Sequence, residues 1–160
     1  MGTGYDFKCT DCGERYSAWT GVGYAYPHIY FEAVEELKKG KFGKEIKDAF
    51  LKAEHALLDY EDNLYVCICG YWRVDHCIDV YSVERKNGEQ IDEETRTFIF
   101  PDDSDIIATL LYHEKHLCKK CGREMKKIKD VESYLKRYGL PCPKCGKRHK
   151  REMSNLILWD

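Results

Sequence analysis

Nowhere in this 160-residue chain do apolar residues run to the roughly 18 in succession that a helix needs to cross a bilayer. The opening MGTGYDFKC has neither the basic start nor the apolar stretch of a secretory leader. Asp6 stands where a myristoylation signal would carry Ser or Thr. These absences lead us to expect a cytoplasmic protein that does not enter a membrane. Equally missing are HExxH, GxSxG and any phosphate-cradling glycine loop. Hydrolytic and nucleophilic catalysis therefore lack a recognisable centre, and the reading leans away from an enzyme without closing the question. No low-complexity linker interrupts the chain.

What the chain has in excess is cysteine, nine residues of it, grouped in close pairs. A reducing compartment makes such pairs metal ligands rather than disulfides. Three pairs are spelled C-x-x-C-G, at Cys9/Cys12, Cys118/Cys121 and Cys142/Cys145, and a fourth, Cys67 and Cys69, has only Ile68 between its thiols. Cys118, Cys121, Cys142 and Cys145 follow the two-knuckle spacing of a structural zinc site, and the glycine after each knuckle allows the left-handed backbone the turn needs. Cys9 and Cys12 supply half of a second tetrahedral set, and Cys67 and Cys69 are the other close pair. Residues i and i+2 of a strand face the same way, so both thiols can reach one ion. The expectation is thus two zinc ions, one on Cys9, Cys12, Cys67 and Cys69, the other on Cys118, Cys121, Cys142 and Cys145. His76 or Cys77 remain alternatives to Cys67; otherwise Cys77 reads as a small buried hydrophobe. His113 and His116 read as neighbours of a site or surface groups rather than ligands.

Charge is unevenly spread. Residues 61–110 hold 4 Lys+Arg against 12 Asp+Glu, whereas residues 111–160 hold 14 against 6. Each four-thiolate zinc would add a further −2 to the formal net charge of −2. The last fifty residues nonetheless stay basic, which opens a nucleic-acid reading through Lys119, Lys120, Arg123, Lys126, Lys127, Lys144, Lys147, Arg148, Lys150 and Arg151, with Tyr134, Tyr138 and His149 available for stacking.

Hydrophobic patterning suggests an α+β fold of short antiparallel strands. Tyr5, Phe7, Tyr16 and Trp19 flank the first knuckle as strand residues able to cover a metal. Pro27 suits the first turn of a helix bearing Tyr30, Val34 and Leu37, closed near Gly40. Ile46, Ala49, Phe50, Ala53 and Leu57 keep a helical period. Period-two alternation through Trp72, Val74, His76, Ile78 and Val80 predicts strands meeting at Gly70. Asn87-Gly88 marks a turn, and Asp130 and Gly139 bracket a short helix. These elements divide the chain into an N-terminal zinc ribbon, 1–85, interrupted by a helical insert at about 28–60; an acidic connecting segment, 86–110; and a basic C-terminal zinc ribbon, 111–160.

The knuckles YDFKCTDCG and CKKCG…CPKCG resemble zinc ribbons and the knuckles of rubredoxins over about a third of the chain, a resemblance specific for metal and not for activity. The whole chain is also similar to a group of small bacterial zinc-ribbon proteins of unassigned function that share the opening ribbon, the GVG…P run and an ending like LILWD. Those proteins carry a full C-x-x-C where this chain has Cys67-Ile68-Cys69. Three functions follow as expectations: a non-catalytic module with two structural zinc sites that binds a protein partner or regulates it; a nucleic-acid-binding protein using the basic ribbon; and a rubredoxin-like iron electron carrier.

Overall fold

The computed structural model describes residues 2–23, 26–92, 99–149 and 153–159. In chain order its elements begin β1 (Gly2–Lys8), β2 (Arg15–Thr20), α1 (Tyr26–Lys38), α2 (Lys44–Lys52), β3 (Ala56–Asp59), β4 (Asp62–Val66) and β5 (Trp72–His76). They continue β6 (Asp79–Arg85), β7 (Ile106–Tyr112), β8 (Lys126–Lys127), α3 (Val131–Tyr138), β9 (Leu140–Pro141), β10 (Arg148–His149) and β11 (Met153–Trp159). The architecture is mixed α/β, with three helices and small antiparallel sheets among the described residues.

Two compact units divide these elements, and neither is a single stretch of chain. The first gathers Met1–Gly23, Asp62–His76 and Lys115–Asp160, and the second gathers Tyr24–Glu61 and Cys77–Glu114. The expected division into two ribbons, 1–85 and 111–160, joined by an acidic segment, 86–110, has other boundaries than these units. Acidic bias and strand pairing are independent properties, and pairing decides which segments share a core.

In the first unit the sheets run β11-β1-β2 and β5-β4-β8, with β9 and β10 as a separate pair. Alternation along β1 buries Tyr5 and Phe7, which join Ala18, Leu64, Val66, Leu135 and Leu140 in one apolar cluster. Phe7 stacks on Tyr16 with ring centroids 5.0 Å apart. Trp19 lies across the pairing strand from Gly4, where a Cβ would fall 2.6 Å from its ring, so glycine is needed for the indole to lie flat. The α3 helix starts as its sequence says it should: the Asp130 carboxylate accepts from the Ser133 N–H at 2.9 Å, and the Gly139 N–H closes on the Leu135 carbonyl, also at 2.9 Å. Leu135 then anchors the helix in the apolar cluster.

The second unit packs its helices with the sheet β3-β6-β7. Pro27 sits in the first turn of α1, whose buried face carries Tyr26, Tyr30, Ala33, Val34 and Leu37 at helical spacing. The helical period that continues to Leu57 in sequence is broken in space. The α2 helix ends at Lys52, Ala53 is extended at φ −85°, ψ 133°, and Ala56 to Asp59 form a fully buried strand. A short buried strand satisfies the same apolar spacing as one more helical turn, so periodicity alone could not separate them. The period-two run after Gly70 is likewise two strands, with a break between His76 and Asp79. The Asn87-Gly88 turn is present, Gly88 at φ +77°, ahead of β7 on the sheet edge.

Candidate metal centres

Four turns in the first unit carry eight of the nine cysteines, and three of them close with the same two backbone hydrogen bonds. In the first, the Cys9 N–H donates to the Glu14 carbonyl at 2.8 Å and the Gly13 N–H to the Cys9 carbonyl at 2.9 Å. Cys118 with Arg123 and Gly122, and Cys142 with Lys147 and Gly146, repeat it at 2.8 Å throughout. The abbreviated turn makes the same closure with one residue fewer: Cys67 N–H to Tyr71 carbonyl, 2.8 Å, and Gly70 N–H to Cys67 carbonyl, 2.9 Å. Each closing glycine has positive φ, between +72° and +88°. At Gly13, Gly122 and Gly146 a Cβ would meet nothing within 4 Å, so the constraint is backbone conformation and not space.

The turns meet in a nested order. Cys9, Cys12, Cys142 and Cys145 form one group and Cys67, Cys69, Cys118 and Cys121 the other, each with its sulfur atoms within 4.8 Å of one another. This corrects the expectation that neighbouring pairs combine, first with second and third with fourth. Strand pairing is the reason. β11, which follows the fourth turn, pairs with β1, which precedes the first, and Tyr16 and Trp72 hold the β9 arm by hydrogen bonds to the Leu140 and Pro141 carbonyls at 3.1 and 2.8 Å. β8, which follows the third turn, pairs with β4, which leads into the second.

Sulfur separations across each group are close to those of a tetrahedral ligand set and far from those of a disulfide. Cys9–Cys145 and Cys12–Cys142 are each 3.6 Å, Cys67–Cys121 is 3.4 Å and Cys69–Cys118 is 3.6 Å. A tetrahedron with metal–sulfur bonds of about 2.3 Å has edges of ~3.8 Å, whereas a disulfide would bring two sulfurs to about 2.05 Å. Cys9, Cys67, Cys118 and Cys142, the first thiol of each turn, are buried, and the second thiol lies nearer the surface. Both groups could therefore hold a metal ion.

The thiols do not ionise alike. Burial opposes charge on Cys118, but the N–H groups of Cys121 and Lys120 and the Cys69 and Cys67 thiols outweigh it and bring it down to about 6. Burial likewise opposes charge on Cys142, and the N–H groups of Cys145 and Lys144 with the Cys12 and Cys145 thiols bring it to about 7. In Cys12 the Glu14 N–H favours the thiolate, yet burial and the thiols of Cys9, Cys142 and Cys145 push it up to about 12. Cys67 is raised to about 12 in the same way, the Cys69 N–H being outweighed by burial and by Cys121, Cys69 and Cys118. Each group thus holds one thiol poised to ionise and one that keeps its proton until a cation arrives. Loading metal at pH 7 should accordingly release at least one proton from each centre, and affinity should rise with pH. A pH-indicator titration checks this, and loading without proton release would contradict the arrangement.

Aromatic side chains back both groups. Burial and the nearby Cys142, Cys9, Cys145 and Cys12 raise the Tyr16 hydroxyl to about 12, so it remains a neutral donor beside the first group. Cys67 and Cys118 pack with Tyr65 and Met125, and the His116 ring stacks on Tyr65 at 3.8 Å between centroids. His116 Nδ1 lies 3.2 Å from the Asp75 carboxylate and His113 Nδ1 2.9 Å from that of Asp79, so neither imidazole belongs to a cysteine group. His76 and Cys77 do not replace Cys67. His76 Nδ1 is 2.8 Å from Asp62, and Cys77 sits buried in the second unit with its thiol 3.4 Å from Asp59 Oδ2. Asp59, Cys77 and Asp79 form a further close buried trio, missed in sequence because the three residues share no motif spacing.

The basic side chains separate into two sets. Lys147 pairs with Asp11 at 2.8 Å and Lys144 with Glu14 at 3.5 Å, both carboxylates belonging to the first turn. Lys120 lies over the Tyr71 ring, 5.6 Å from its centroid. Lys119, Arg123, Lys126 and Arg148 are exposed and Lys127 is half-buried, while Lys150 and Arg151 lie outside the described residues. No helix is long and apolar enough to cross a membrane among the described residues. No protein-family model matches the chain, and no curated protein or solved structure matches it either.

Proposed function

We propose that this is a non-catalytic zinc protein, its first unit held by two structural zinc ions in zinc-ribbon-like sites, acting through binding. The observation that carries the reading is the pair of closed four-cysteine groups. Four thiolates fill the coordination shell of zinc and leave no position for a substrate, so such a site supports a fold rather than a reaction. Cys9, Cys12, Cys142 and Cys145 hold one ion, and Cys67, Cys69, Cys118 and Cys121 the other. A protein partner is supported by β7, an edge strand among the described residues on which Ile107, Leu110 and Leu111 are 53, 51 and 41% exposed. Apolar edge strands invite pairing with another chain.

Elemental analysis of the purified chain tests the metal: two zinc equivalents and no visible absorption are expected. A red protein with stoichiometric iron would replace this reading with the electron carrier. Leu110→Lys, which keeps both metals, should abolish capture of a stoichiometric protein partner from nuclease-treated host lysate. Wild-type protein that retains no such partner would end the protein-binding half of the proposal.

A further inference from the structure

The basic C-terminal segment does not act as one surface. Lys144 and Lys147 are already engaged by Glu14 and Asp11, and the Asp11 carboxylate raises the Lys147 ammonium further. Away from these pairs, the residues between β8 and the end of α3 line a groove of about 540 Å³, within the roughly 300–1,000 Å³ typical of ligand sites. Its cations are Lys126, Lys127, Lys129 and Arg137, and its rings are Tyr134 and Tyr138.

Local structure fixes both walls. Lys126 and Lys127 are ladder partners of Val66 and Tyr65, and the Ile128 N–H continues the ladder to the Leu64 carbonyl at 2.9 Å, so the lysine roots are held by backbone. Tyr134, Arg137 and Tyr138 stand at i, i+3 and i+4 of α3 and share one helix face, which Leu135 holds in place from the buried side. The tyrosine rings are 5.1 Å apart at 45°, and Arg137 lies over Tyr138, 5.2 Å from its centroid. The groove's single carboxylate, Asp130, is engaged as the α3 cap, accepting from Ser133. Lys126, Lys129 and Arg137 form no ion pair among the described residues.

We infer that this groove binds single-stranded nucleic acid, with phosphates along Lys126, Lys129 and Arg137 and a base against the half-exposed ring of Tyr138. Three cations, Lys126, Lys129 and Arg137, facing one engaged carboxylate match a polyanion, and the paired rings distinguish a strand with free bases from a duplex or an acidic peptide, neither of which offers a π-face. The groove shares no residue with either cysteine group or with β7, so it stands independently of the function proposed above.

Fluorescence anisotropy of the metal-loaded full chain with a labelled oligo-dT and a labelled oligo-U reads it directly. Binding should fall linearly in log K with log salt. Lys126→Gln with Lys129→Gln should reduce that slope by about 1.4, at roughly 0.7 per lost phosphate contact. Tyr138→Ala should weaken binding by about tenfold with the slope unchanged, and Tyr138→Phe should restore it. Metal content, equal across the variants, reports folding. No binding by the wild type at low salt would overturn the proposal. So would duplex DNA or polyglutamate binding as tightly as the single strand, or Lys119→Gln with Lys120→Gln having the effect expected of the groove lysines.

Discussion

Replacing Cys9 and Cys142 together by serine should remove one metal ion from the protein, whereas replacing Cys9 and Cys67 together should remove both. The two double variants lose the same number of thiols, so chemistry alone does not distinguish them; only the assignment of turns to centres does. Cys9 and Cys142 belong to one group, and the second substitution falls on a centre already lost. Cys9 and Cys67 belong to different groups, and each loses a ligand. Serine is a poor stand-in because its hydroxyl does not ionise near neutral pH, and the first thiol of each turn is the buried one. Native mass spectrometry of the loaded proteins gives the count. One ion in the first variant and none in the second supports the nested pairing. The opposite result would restore the pairing of neighbours, and equal counts would sink both.

Chelation should unfold the first unit and spare the second. A structural zinc contributes about 10–16 kcal/mol at pH 7, comparable with or larger than the ~5–15 kcal/mol by which whole domains are stable. Against that loss the first unit sets the sheet β11-β1-β2 and one apolar cluster around Leu135 and Leu140. Its strands β8, β9 and β10 are two residues each, and such small sheets are marginal alone. The second unit rests instead on an apolar core in which Leu37, Leu57, Leu58, Val80 and Val83 are all at most 1% exposed, and no four-cysteine group lies within it. Hydrogen exchange with and without chelator separates the two. Amides of Tyr5, Phe7 and Leu64 should lose protection by several orders of magnitude on metal removal, while those of Leu58 and Val80 change little. Continued protection at Tyr5 and Leu64 would mean that the apolar cluster around Leu135 and Leu140, not metal, holds the unit together.

Local signals in this chain are unambiguous wherever one residue type has one physical use. Each C-x-x-C-G announced a turn because only glycine enters its positive-φ closing position cheaply, and Pro27, Asp130 and Gly139 marked helix ends for equally local reasons. The shortened Cys67-Ile68-Cys69 was legible as a pair whose thiols fall in one four-cysteine group, although it lies in a turn closed by Gly70 and not on the strand expected of it. Where a pattern had two solutions the reading failed, as it did at Leu57, which fits a fifth position on α2 and a buried place in β3 equally well.

By itself, then, the sequence determined that three C-x-x-C-G pairs would form turns able to present thiols, because turn geometry is local, whereas Cys67 and Cys69, expected on a strand, lie in a fourth turn. Which turns converge on one four-cysteine group was decided by tertiary structure. Four pairs can combine two by two in three ways, and spacing along the chain ranks them only if neighbours in sequence are neighbours in space. The pairing of β11 with β1 and of β8 with β4 set that order aside. The same folding engaged Lys144 and Lys147 with carboxylates of the first turn and left Lys126 and Lys129 facing a groove beside α3, a division of the basic segment that composition cannot express because it depends on which charges meet.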